Sequence, residues 1–128
     1  MKHTLAGAAA LVLSAVALAA PSASAAVTGI AVAPGLTLGT HDYGTGCSYT
    51  VTATVDDDTQ RVYFFEEGQG PTGFADAAPV DGTATVTWTP SRTATTYIYA
   101  VQPGWSEILR YPVDIGTGIN LGSACVAP

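Results

Sequence analysis

The chain has 128 residues, with 4 Lys and Arg against 10 Asp and Glu, 2 Cys, 14 Gly and 8 Pro. That length holds one ordinary domain and excludes a multidomain enzyme, and a formal charge of −6 argues against nucleic acid or an anionic lipid surface, which need a basic face. Hydrophobic residues make up 48% of the chain, many of them in the first twenty positions, yet the remainder is too apolar for a disordered segment.

Lys2 and His3 precede an apolar run from Leu5 to Ala20, which breaks at Pro21 and is followed by Ala23-Ser24-Ala25. A charged start, a short apolar stretch and a small-x-small end make a secretory signal; the run is short for a membrane span of about 20 residues. Residues 1–25 are therefore expected to be removed, leaving 26–128 as one exported domain with no membrane insertion. Arg61, Arg92 and Arg110 are then its only Lys or Arg residues, against all ten carboxylates. A domain of this size buries roughly 60 to 70% of its unfolded surface, enough for a single core.

Val27 to Val32, ahead of Pro34-Gly35, is a weak strand signal. The strongest signal is alternation: Cys47, Tyr49, Val51, Ala53 and Val55 share one parity, and Ser48, Thr50, Thr52 and Thr54 share the other, which predicts a strand with one wet face. Val62 to Phe65 is a short apolar run, and Phe74 to Ala78 a weaker one. Thr83 to Thr89 alternates again, with Ala84, Val86 and Trp88 opposite the threonines. Thr96 to Val101 is rich in the β-branched and aromatic residues that strands favour; this run and Val62 to Phe65 are expected nearer a sheet centre. Leu109, Tyr111, Val113 and Ile115 keep parity, with Pro112 implying an edge position or a bulge. Turn residues separate these segments at Asp56-Asp57-Asp58-Thr59, Gly68-Gln69-Gly70-Pro71, Pro79-Val80-Asp81-Gly82, Thr89-Pro90-Ser91 and Pro103-Gly104. The spacing suits an all-β antiparallel sandwich. Trp88, Tyr49, Phe64, Tyr97 and Tyr99 are expected in its core, and the threonine faces in solvent.

Cys47 and Cys125 are the only cysteines, and an even count in an exported chain predicts one disulfide. In the loop-entropy model, closing a loop of that length stabilises the fold by roughly 4.5 kcal/mol before native strain is subtracted.

The stretch Asp81-Gly82-Thr83-Ala84-Thr85-Val86-Thr87-Trp88-Thr89-Pro90, followed by the tyrosine-rich Thr95 to Gln102, resembles the late strands of bacterial Ig-like domains. Together with Gly46 to Ala53 and Gly118 to Cys125, it is similar to small secreted single-domain Ig-like proteins of actinobacteria. The resemblance spans most of residues 26–128 and implies an immunoglobulin-like antiparallel β-sandwich, but its motifs are structural and imply no activity. The pattern departs from antibody-type domains, which link strands B and F beside a tryptophan on strand C. Here Cys125 lies beyond the last expected strand and Trp88 on the strand before Tyr97, so the disulfide is expected to fasten the chain end to strand B. Function on such a fold has to be argued from a site.

The residues for catalysis are sparse. His41 is the only histidine after residue 25, which argues against a serine or cysteine triad; it is expected to sit in a solvated loop. One histidine and two oxidised cysteines do not make an N/S zinc site. Glu66 and Glu67 are adjacent and on a strand would face opposite ways, so they read as a strand end entering a charged turn. The acidic run Asp56, Asp57 and Asp58 is different, because in an Ig-like topology its loop shares one end of the domain with the loop of Gln102 to Glu107. Asp81 is expected there too. That end would gather Asp56, Asp57, Asp58, Asp81 and Glu107 around the aromatic Trp105, an arrangement of hard oxygen ligands that suits Ca²⁺ or a basic partner anchored on Trp105; the plainer reading is solvated acidic turns.

The expectation for function is a secreted, monomeric, non-catalytic binding or structural module with a protein or glycan partner and no cofactor other than Ca²⁺. The alternative is a secreted inhibitor of an extracellular hydrolase. An enzyme ranks third.

Overall fold

The computed structural model describes residues 26–104 and 108–128; the expected signal segment 1–25, Trp105 and Glu107 lie outside them. The described chain is all β. Its strands are β1 (Val27–Ala33), β2 (Thr37–Leu38), β3 (Tyr43–Gly44), β4 (Tyr49–Val55), β5 (Val62–Glu66), β6 (Ala75–Ala77), β7 (Thr83–Trp88), β8 (Ala94–Val101), β9 (Leu109–Gly116), β10 (Ile119–Asn120) and β11 (Cys125–Val126). No helix among the described residues is long and apolar enough to cross a membrane.

Two sheets carry the core, one in the order β1-β4-β7 and the other in the order β3-β9-β8-β5-β6. The first is antiparallel throughout; in the second, β3 runs parallel to β9. Their inner faces meet in one cluster, with Val32, Tyr49, Val51, Ala53, Ala84 and Trp88 from the first sheet against Val62, Phe64, Ile98, Ala100, Val113 and Ile115 from the second, consistent with a β-sandwich. Tyr43 fills one end, stacked edge-on against Tyr49 and Trp88. Its hydroxyl donates to Val32 O at 3.1 Å, and burial, reinforced by Tyr111, pushes it well above the ordinary phenol range.

The alternating segments behave as their parity requires. On β4 the residues Tyr49, Val51, Ala53 and Val55 are buried, while Thr50 and Thr54 are exposed and Thr52 is half-buried. The threonines of β4 pair across the sheet with those of β7, Thr50 with Thr87, Thr52 with Thr85 and Thr54 with Thr83, giving an uncharged hydroxyl surface. On β8 the expectation needs correcting: Ile98 and Ala100 take the inward positions, so Tyr97 is exposed and Tyr99 stacks on Phe65 outside the core. Pro112 pairs with Tyr97 on β8, and β9 meets β3 only at Ile115 and Gly116, so the proline lacks a ladder donor where none is needed.

Cys47 and Cys125 are bonded, with Cα atoms 6.1 Å apart. Cys125 lies within a strand, contrary to expectation. β11 runs parallel to β2 and antiparallel to β10, and the disulfide ties this small third sheet to the start of β4. Ile119, Val126 and Leu38 share one rung of it, and Ile119 and Leu38 are exposed with Leu36 and Leu121 beside them.

Candidate functional site

The loop of Asp56 to Asp58 lies beside the Asp81 turn, while Trp105 and Glu107, expected at the same end, lie outside the described residues. Gln102, fully buried, donates its side-chain amide to Asp57 O at 2.8 Å and Gln60 O at 3.0 Å, fastening the loop after β4 to the end of β8. Asp58 Oδ1 accepts Gly82 N–H at 2.9 Å, and Val55 N–H donates to Gly82 O at 2.9 Å, which brings in the Asp81 loop. The carboxylates, however, are used locally. Asp56 accepts Ala26 N–H at 2.9 Å. Asp57 accepts both the N–H and the hydroxyl of Thr59, and these bonds hold its pKa below the ordinary carboxylate value. Asp81 sits at φ 51° and Gly82 at φ 81°, with Val80 and Thr83 exchanging backbone bonds of 2.8 and 3.1 Å; this is a two-residue hairpin turn of the Asp-Gly kind. Among the described residues no group of three or more His, Cys, Asp or Glu side chains fits a metal ion. His41 is held as well, its Nδ1 lying 2.9 Å from Asp114 Oδ2 and its side chain one-third exposed, so the loop is braced rather than loose.

A second constellation, on the side where the edge strands β6 and β7 approach each other, went unforeseen. Glu66 ends β5 and is only 5% exposed. Its Oε1 accepts the Trp88 indole N–H at 3.0 Å and its Oε2 accepts the Gln69 amide at 3.0 Å. Arg92 Nε lies 3.2 Å from Oε2, within ion-pair range though off the angle of a hydrogen bond, and its Nη2 donates to Glu67 O at 2.7 Å. Glycine is required at Gly68, which has φ 89°; a Cβ there would come within 2.8 Å of Arg92 Nη2. Glu67 faces the other way, exposed, 3.5 Å from Arg110.

Above this floor opens a cleft of about 440 Å³. Gln69, Thr72, Thr87, Thr89 and Ser91 line it with polar groups, and Phe74 supplies an apolar patch. The arrangement combines fixed polar groups with an aromatic surface in a concavity of ligand size. One signal in the sequence points to Glu66: it shares parity with Val62 and Phe64, both fully buried. Nothing local reveals that Trp88 and Arg92 arrive beside it.

No family model matches the chain, no characterised protein matches its sequence, and no solved structure matches it.

Proposed function

We propose that the chain is a secreted, non-catalytic module with an Ig-like strand arrangement, which works by binding an extracellular partner in the cleft above Glu66 and Trp88. The observation that carries this reading is the buried Glu66 carboxylate at the base of an open, polar-walled cleft. Both its oxygens are engaged by Trp88, Gln69 and Arg92, which makes it a fixed floor rather than a mobile acid or base. The division of the first strands supports the Ig-like part: β1 lies on one sheet and β3 runs beside β9 on the other. The charged, apolar and small-residue order of residues 1–25 supports export, and the disulfide suits an oxidising compartment.

The test is retention of oxidised 26–128 on an envelope preparation from the producing cells, compared with Thr87→Asp. Thr87 is exposed on the cleft wall, so a carboxylate there blocks the cleft without entering the core. Loss of retention in the variant is expected; equal retention by the two proteins overturns the reading.

A further inference from the structure

We infer that the cleft takes a neutral sugar ring, and that the hydroxyl row of β7 leading into it carries adjoining units of a glycan chain. The inference rests on the binding reading above and names the ligand class of the same site.

Charge selects first. Glu66 is the charged residue of the lining and is paired with Arg92 beside it, and the other lining residues are uncharged, so a charged ligand would be desolvated without a partner. The excess of carboxylates over cations further disfavours anionic sugars. Hydrogen-bonding capacity selects next. The hydroxyls of Thr72, Thr87 and Ser91 and the amide of Gln69 can each donate and accept, which matches a ligand whose own groups do both, as sugar hydroxyls do. Phe74 offers an apolar surface to the C–H face of a ring. The volume falls within the range of small-molecule sites.

The surface beyond the cleft points the same way. Thr83, Thr85 and Thr87 are exposed on β7 and each is paired with a threonine of β4; the Thr89 hydroxyl continues the row at 2.8 Å from Ser48 Oγ. Same-face residues on a strand repeat at about 6.6 to 6.8 Å, so an uncharged ladder of hydroxyls runs into the cleft wall. An extended peptide is the competing occupant, because among the described strands β7 is hydrogen-bonded only to β4 and its other edge faces β6 without a ladder. It would be recognised by backbone hydrogen bonds along that edge and would not need the cleft hydroxyls.

The experiment is ¹H–¹⁵N correlation NMR of oxidised 26–128 titrated with cellobiose, maltose and lactose, then with a uronic-acid disaccharide. Saturable shifts of the Trp88 indole N–H and the Gln69 side-chain amide are expected with at least one neutral disaccharide, and weaker binding of the acidic one. Thr87→Val and Gln69→Ala should each weaken binding about three- to tenfold, the effect of one lost hydrogen bond. Absence of saturable shifts with every neutral disaccharide, or shifts confined to residues away from the cleft, overturns the inference. If extended peptides move the cleft resonances while no sugar does, the sugar inference falls and the binding reading stands. Equal envelope retention of wild type and Thr87→Asp removes the binding reading itself.

Discussion

Trp88 donates its indole N–H to Glu66 Oε1 at 3.0 Å, joining the inner faces of two different sheets by one hydrogen bond between buried side chains. Trp88→Phe leaves the carboxylate short of a donor and should cost about 1–3 kcal/mol. Glu66→Gln keeps an acceptor for the indole but sets an amide against the Arg92 guanidinium and the Gln69 amide, so it too should destabilise. A double-mutant cycle by urea unfolding should show coupling of at least about 0.5 kcal/mol; strictly additive effects would mean that the bond contributes nothing to stability.

The disulfide spans 78 positions, and its removal should be felt globally and locally. Cys47→Ser with Cys125→Ser is expected to lose about 2–4 kcal/mol, read from the urea midpoint. Hydrogen exchange should find β2, β10 and β11 unprotected first, because the disulfide is the covalent link between that small sheet and β4.

Asp57 gives a pH dependence with a defined sign. Its pKa lies below the ordinary aspartate value of 3.8, through the Thr59 side-chain bond first and the Thr59 backbone bond second. The fold therefore favours the ionised form. This stabilisation is present above about pH 3.8, the unfolded value, and is lost as pH falls through the lower folded value. Thr59→Val removes the hydroxyl but keeps the N–H, so the Asp57 midpoint, followed by carboxyl ¹³C NMR, should rise part of the way towards 3.8.

Asp56 offers a test of the proposed cleavage after Ala25. Its Oδ1 lies 2.9 Å from Ala26 N, and cleavage after Ala25 turns that nitrogen into an ammonium and the hydrogen bond into an ion pair. Asp56→Asn should destabilise 26–128 by up to about 1 kcal/mol, less at high salt. A chain that retains Ala25 should show a smaller, salt-insensitive effect.

Asp81 belongs to a turn. At φ 51°, Asp81→Asn should be nearly neutral and Asp81→Val should cost about 1–2 kcal/mol, because a β-branched side chain is strained in left-handed backbone. Asp56, Asp57 and Asp58 each accept a backbone N–H from a different residue, so replacing EDTA with millimolar Ca²⁺ should leave Tm unchanged. A rise of several degrees would show that the native state binds the ion.

The strands with a wet face were legible in the sequence, because a period of two leaves one parity apolar and the other polar, as in Tyr49 to Val55 and Thr83 to Trp88. The runs without a polar parity were legible as strands but not in phase. Tyr97 and Tyr99 were expected inside, and only the packing of Ile98 and Ala100 against the opposite sheet turned them out. The two-residue strands β2, β3, β10 and β11 are too short to carry a local pattern; β2 with β11 and β3 with β9 exist through pairing between segments distant in the chain, and β10 forms only against β11. The chemistry of Asp56, Asp57 and Asp58 was not legible, because which backbone amide reaches a carboxylate depends on the path of a loop. Glu66 shows the division most sharply. Its parity with Val62 and Phe64 is written in the sequence, but the indole, guanidinium and amide beside it come from positions three to twenty-six residues away. The sequence by itself determined the parities of β4 and β7 and the cysteine pair, which depend on neighbouring residues and on count; the tertiary structure alone decided the cleft, because a buried carboxylate is tolerable only where partners from elsewhere in the chain arrive to satisfy it.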